Sequence, residues 1–383
     1  MTSRSDARSL WSFVIDNYLL LVVGTLIALA WANVDHASYE RVAHALEFAV
    51  NDIGMVFFFA LAAKEIFEST LPGGALSSPR EAAVPVLAAV GGMAFPAGLY
   101  AAQAFYSGQP ELLRGWAIPC ATDIAFSYMA ARMLFPRGHP AIPFLLLLAI
   151  ADDAFGLILL ALFYPTSPVS LVLFAALMLP ALAVAYLLKR RRVRSFWAYT
   201  VLAGSLSWAA LHFGGIHPAL AMVPIIPFLP HARRDLGIYS PEERELPDAM
   251  NQFHNWWHVP VQLILFLFGL VNAGVQVSSV GPGTWMVLSS LIVGKPLGIL
   301  LFTLGGIALG LKAPGGARPW DITLLGIAAG IGFTVALFFA TAAFPPGPLL
   351  DQVKMGALLS FAAFPIALTV GASARLVRQA KAR

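Results

Sequence analysis

In the stretch "LLAIADDAFGLI", residues 147–158, two aspartates, Asp152 and Asp153, stand side by side in an apolar run. A carboxylate at mid-bilayer costs roughly 2.5–3.5 kcal/mol on insertion scales, so its default reading is functional. The rival reading is an ion pair that only joins helices. Neighbouring helical positions point about 100° apart. Both acids cannot face one neighbouring helix, so at least one reaches a cavity. Two carboxylates this close repel, and their protons come off in coupled steps. A pair that trades protons for a cation is an exchange site by its chemistry, and carboxylate oxygens are hard ligands suited to small cations. Lys295, in "LLIVGKPLGILLF", is the only deep cation and a natural partner for one aspartate. Asp123, in "GWAIPCATDIAFSYMAAR", follows Pro119 and Thr122. Helix ends carry about half an elementary charge, so where helices break, Asp123 can neutralise positive ends and Lys295 negative ones. Asp52, in "FAVNDIGMVFFF", stands near the start of its apolar run, where an interfacial, structural role fits better. His212, His217, His254 and His258 show no zinc spacing and read as capping or packing residues.

The elements that must position these residues are membrane helices. Of 383 residues, 59% are hydrophobic and 11% charged, against about 25% charged in soluble domains. That composition predicts one all-α polytopic membrane domain over 1–383. The net charge of +4 lies between apolar runs and offers no nucleic-acid face. A single cysteine, Cys120, closes no internal disulfide. Membrane helices need about 20 apolar residues. Twelve candidates appear: 12–32, 48–66, 82–105, 117–134, 141–163, 169–188, 196–213, 216–229, 258–276, 284–310, 320–343 and 352–374. The first follows a basic start; it is long for a signal peptide, and more spans follow, so it reads as uncleaved. Asp16 lies near its cytoplasmic end. The 231–257 stretch reads as an extramembrane loop. Of the 24 Lys and Arg, Lys295 and Lys354 fall in or at the ends of spans, Arg41 and Arg114 fall on one side, and the remaining 20 on the other. That bias places both termini in the cytoplasm.

Two spans read as broken. The fourth carries Pro119, Thr122 and Asp123 mid-span; the eleventh carries Gly326, Gly330, Gly332 and Thr334. Unwound backbone at membrane depth survives only where it is buried or lines water. Spans 3–5 and 10–12 run in opposite senses, so a matching pair of breaks points to inverted repeats. The alternative is that these residues merely allow close helix packing.

"GWAIPCATDIAFS", "LLLLAIADDAFGLILLALFY", "VNAGV", "VGKPLGI" and "GIGFTVALFFATAAF", with "AAVPVLAAVGGMAFPAGLY" and "GIHPALA", resemble the NhaA-type bacterial sodium/proton antiporters from about residue 12 to 375. The resemblance implies twelve helices with crossed, broken fourth and eleventh helices in the bacterial inner membrane. It implies exchange of sodium or lithium for protons, serving pH and sodium homeostasis, with no enzymatic activity and no cofactor. By motif, Asp153 resembles the main cation ligand and Asp152 its partner, which pairs with Lys295 when the cation is absent. Thr122 and Asp123 match residues at the helix crossing, with Thr122 a further candidate ligand. Asp52 matches a carboxylate on the periplasmic ion path. The chain departs from the family at the end of the second helix. Where members carry a "GLEVKREL"-like stretch of their pH-sensing cluster, it reads "ALAAKEIFE", with Ala62 and Glu65 at altered positions and Lys64 retained. Lys64, Glu65 and His254 are the remaining candidates for a pH response. The link "VDHASYERVAHALEFAV" lacks the β-hairpin by which members form dimers, so a homodimer needs another contact. The lipid bilayer is the partner implied.

Rival classes fit less well. A channel tends to show rings of charge or repeated filter loops. A sodium-driven symporter of anions wants cations or hydroxyls at the breaks, where Lys295 stands alone. A membrane protease would need an unusual geometry from adjacent aspartates.

Overall fold

In the computed structural model, residues 19–136, 138–231, 248–311 and 318–381 are described. Residues 12–18 of the first expected span, including Asp16, most of the 231–257 stretch, and part of the charge bias that orients the chain (Arg4, Arg8, Arg137, Arg233, Arg234, Arg244 and Lys312 among it) lie outside them.

Every regular element among the described residues is helical. The chain runs through α1 (Leu19–Val34) and α2 (His36–Glu47), then π-helical turns over Phe48–Gly54 into α3 (Met55–Ser69). It continues through α4 (Pro79–Tyr106), 3-10 turns at Pro110–Gly115 and Ile118–Cys120, α5 (Ile124–Leu134), α6 (Ala141–Phe163) and α7 (Leu171–Arg190). A second π-helical segment, Tyr199–Gly204, leads into α8 (Ser205–Gly214); α9 is Ala249–Asn272. A third, Ser290–Gly294, joins α10 (Pro282–Ser289) to α11 (Lys295–Ala308). Last come α12 (Pro319–Ala329), α13 (Phe333–Ala343), α14 (Pro348–Leu359), a 3-10 turn at Ser360–Ala362, and α15 (Ala363–Lys381).

Six helical stretches among the described residues are long and apolar enough to cross a membrane. The pair α12 and α13, bent by 52° at its break, is a seventh where the two are counted as one span. The apolar helices Leu19–Val34 and Ile124–Leu134 are shorter. The stretch expected as a loop up to residue 257 is partly helical: Asp248 accepts the Asn251 backbone N–H at 2.9 Å and starts α9 well before the apolar run. An N-cap, not hydropathy, sets that boundary. The link at 34–50 is filled by α2, where Asp35 accepts the Ser38 N–H at 3.1 Å.

The chain forms two compact units, 1–78 with 157–274, and 79–156 with 275–383. In the first, α9 packs on α1 and α8 on α7. Asn51 and Asn272 exchange amide hydrogen bonds at 3.0 and 2.9 Å. Tyr39 donates to the Val271 carbonyl at 2.7 Å and accepts the Gly274 N–H at 3.0 Å. These bonds satisfy polar groups at the end of α9 that lipid would leave unpaired. In the second unit, α4 packs along α11, α10 on α14, and α15 on α5 and α12. Gly91 and Gly298 let α4 and α11 meet backbone to backbone, since a Cβ on either would overlap the other's carbonyl oxygen.

Candidate functional site

The second unit gathers Thr122, Asp123, Asp152, Asp153, Lys295 and Thr334. Asp152 and Asp153 lie on α6. Asp152 is 1% exposed, and Asp153 is half-buried, as two adjacent positions on one helix require. Lys295 opens α11 directly after a π-helical segment and is 0% exposed. Such segments are rare and frequent at functional sites.

The Lys295 ammonium lies 3.1 Å from Asp152 Oδ2 and donates to the Cys120 carbonyl at 2.6 Å. That carbonyl ends the 3-10 turn before the extended residues of the fourth expected span. The lysine therefore meets both a carboxylate and the negative end of a helical turn. The Thr122 hydroxyl reaches the same Asp152 oxygen at 2.7 Å, with the Ala329 carbonyl at 3.3 Å. The other oxygen, Asp152 Oδ1, is buried and has no hydrogen-bond partner among the described residues. A buried carboxylate oxygen in that condition is costly unless something charged comes to it.

The two interrupted segments touch. The Asp123 N–H donates to the Ile331 carbonyl at 2.7 Å. The Asp123 carboxylate accepts the Thr334 backbone N–H at 3.2 Å and the Thr334 hydroxyl. It thus stands at the N-terminal, positive end of α13. The helix stops after Ala329 and resumes at Phe333. Gly330 also packs where a Cβ would overlap the Leu291 carbonyl oxygen.

Sequence reasoning missed two hydroxyls here. Ser127 donates to the Ala328 carbonyl at 2.8 Å, satisfying the last turn of α12. Ser360 accepts from Gly332 and Phe333 at 3.3 and 3.4 Å. A serine in an apolar run gives no signal of this; only the pairing of breaks does.

The remaining candidates belong to the first unit. Asp52 is half-buried in the π-helical turns after α2, and its carbonyl accepts the Trp208 indole N–H at 2.8 Å. Lys64 is buried and ion-paired with Glu68, one turn on. The i,i+4 spacing marks Glu68 as that partner. Glu65 and His254 are half-buried, with the His254 ring 5.8 Å from that of His258. His217 accepts the Ala219 N–H and caps a 3-10 turn, the bland role read for it.

Membrane-length helices, a helix pair bent at its break and a buried carboxylate–lysine pair point to the class of ion-transporting membrane proteins. The model of the family described as Na+/H+ antiporter 1 matches residues 15–371. The chain is 42% identical to the Na(+)/H(+) antiporter NhaA of Jannaschia sp. (strain CCS1), covering 96% of this chain and 99% of that protein. It is 46% identical to the Na(+)/H(+) antiporter NhaA 2 of Pelobacter propionicus, covering 93% and 95%. The chain belongs to the Na+/H+ antiporter 1 family. Its fold is similar to that of the sodium proton antiporter MjNhaP1 of Methanocaldococcus jannaschii, with TM-score 0.56 and 15% identity over 93% of this chain and 90% of that one.

Proposed function

We propose that the protein exchanges sodium or lithium for protons across the bacterial inner membrane, with Asp152 and Asp153 as the shared binding site. The observation that carries this reading is Asp152: one oxygen held by Lys295 and Thr122, the other buried without a partner among the described residues. A small cation supplies the missing partner. Asp153, half-buried beside it, is the principal ligand, and the Thr122 hydroxyl a further one. In the cation-free state the Lys295 ammonium balances Asp152. When the cation arrives, one proton leaves Asp153 and the other leaves the Lys295 ammonium, whose hold on Asp152 the cation replaces. The loaded site then opens to the other side, because the cation has different affinities for the two states. Two protons exchanged against one monovalent cation make the cycle electrogenic.

The reading carries a finer architecture: twelve spans, inverted repeats, broken helices 4 and 11 crossing near Asp123, and both termini cytoplasmic. The contact of Asp123 with Ile331 and Thr334 supports the crossing. Asp52 serves the path on the periplasmic side, and Lys64, Glu65 and His254 any pH response. Sodium and pH homeostasis is the cellular role. A homodimer would form without the family's hairpin.

The test is pH-dye dequenching in everted vesicles. Wild type releases protons when sodium or lithium is added. Asp153→Asn keeps the shape, inserts normally and loses that release. Full exchange by a well-expressed Asp153→Asn would remove Asp153 from the role.

A further inference from the structure

Against the break between α12 and α13 packs a change of winding in span 12. There α14 ends at Leu359, and the 3-10 turn Ser360–Ala362 carries the helical stretch on into α15. Ser360 is 0% exposed. Its hydroxyl donates to the Ala357 carbonyl at 2.6 Å, which aims the lone pairs away from its own helix. They accept two backbone N–H groups, from Gly332 at 3.3 Å and Phe333 at 3.4 Å. The first N–H groups of any helix have no partner within it. At α13 those donors are divided between two spans: Asp123 takes Thr334, and Ser360 takes the two before it.

The next residue adds an apolar grip. The Phe361 ring meets Phe126 edge-on at 5.3 Å and Phe333 at 5.8 Å, while Phe126 and Phe333 meet at 5.6 Å. Phe126 belongs to the first turns of α5 and Phe333 opens α13. The turn at Ser360 and Phe361 therefore holds the starts of both half-helices. Any change in the relation of these half-helices must break these contacts or carry the turn along.

We propose that Ser360 is a positioning residue for cation exchange: its hydroxyl sets the N-terminal end of α13 in the orientation in which Asp123 receives Thr334. Ser360 touches neither Asp152 nor Asp153 in the contacts above, so the conformational step depends on it and cation binding does not. The proposal rests on the reading that the broken eleventh span is part of the exchange machinery.

The test uses the full-length protein in proteoliposomes, with exchange measured over a sodium series and expressed per folded transporter. Ser360→Ala is expected to lower the maximal rate about tenfold, because the start of α13 loses the acceptor that orients it. The half-saturating sodium concentration stays within about twofold, because ground-state binding is untouched. Ser360→Thr keeps the hydroxyl and restores most of the rate. If Ser360→Ala does not accumulate, Ser360→Cys, similar in size but a weak acceptor, takes its place with the same expectation. A normal maximal rate in the variant overturns the proposal. So does a loss equal in Ser360→Thr, or a change confined to half-saturating sodium. Asp153→Asn run alongside separates the two readings. An active Asp153→Asn would fault the binding site, whereas an inert one beside an unimpaired Ser360→Ala faults only the role given to Ser360.

Discussion

At the scale of single residues, Lys295 and Asp152 are fully buried partners. Desolvating two charges is expensive, and their attraction repays it only while both are present. Lys295→Ala leaves Asp152 without its cation and is expected to destabilise the protein by about 3–5 kcal/mol. Adding Asp152→Asn removes the stranded charge and recovers part of that loss. Thermal unfolding of the two single variants and the double variant checks the coupling, and strictly additive losses would argue against it. The acidic pair and the lysine were readable in the sequence because charge in an apolar run has few innocent explanations. Ser127 and Ser360 were not. A serine is tolerated in most membrane helices, and what distinguishes these two is a backbone opening on another span. Glu68 lay between the cases, since its i,i+4 spacing to Lys64 is local but its burial is not.

At the scale of elements, breaks were legible and continuity was not. Pro119 and the glycines around 330 locate the interruptions, because proline lacks a donor and glycine admits close backbone. The turn at Ser360 and the three π-helical segments escaped, since no residue type marks an extra residue within a helical turn. The start of α9 escaped for a different reason: "AMNQFHNWWH" is polar, yet capped and helical. Gly330 tests the eleventh-span break directly. A methyl group there would overlap the Leu291 carbonyl oxygen, and overpacking of this kind costs about 1–3 kcal/mol. Gly330→Ala is expected to lower the melting temperature of purified protein. Gly305, where a Cβ meets open space, is the control: Gly305→Ala should not lower it.

At the scale of the whole molecule, the site predicts how acidity acts. Proton and cation compete for the same carboxylates, so apparent sodium affinity falls as pH falls. On the proposed reading, the altered end of the second span, with Ala62 and Glu65 where the resemblance implies other residues, lacks one input of a separate regulator. The maximal rate at saturating sodium is therefore expected to change little with pH. Exchange over a sodium series at several pH values decides this. A steep loss of maximal rate at low pH, unrelieved by sodium, would show a sensor rebuilt elsewhere, with Lys64, Glu65, Glu68 and His254 the first to examine. The meeting of Gly91 and Gly298 has a consequence for kinematics. Two helices touching backbone to backbone, with Phe302 and Phe95 packed hard against the two glycines, have little room to slide or roll; α4 and α11 travel as one strut, and whatever displaces Lys295 displaces α4 with it. Spin labels at the exposed neighbours, introduced as Val90→Cys and Leu297→Cys, should report one unchanged separation at acid pH without sodium and at alkaline pH with it. A shift approaching one helical turn, about 5 Å, would mean that the strut shears.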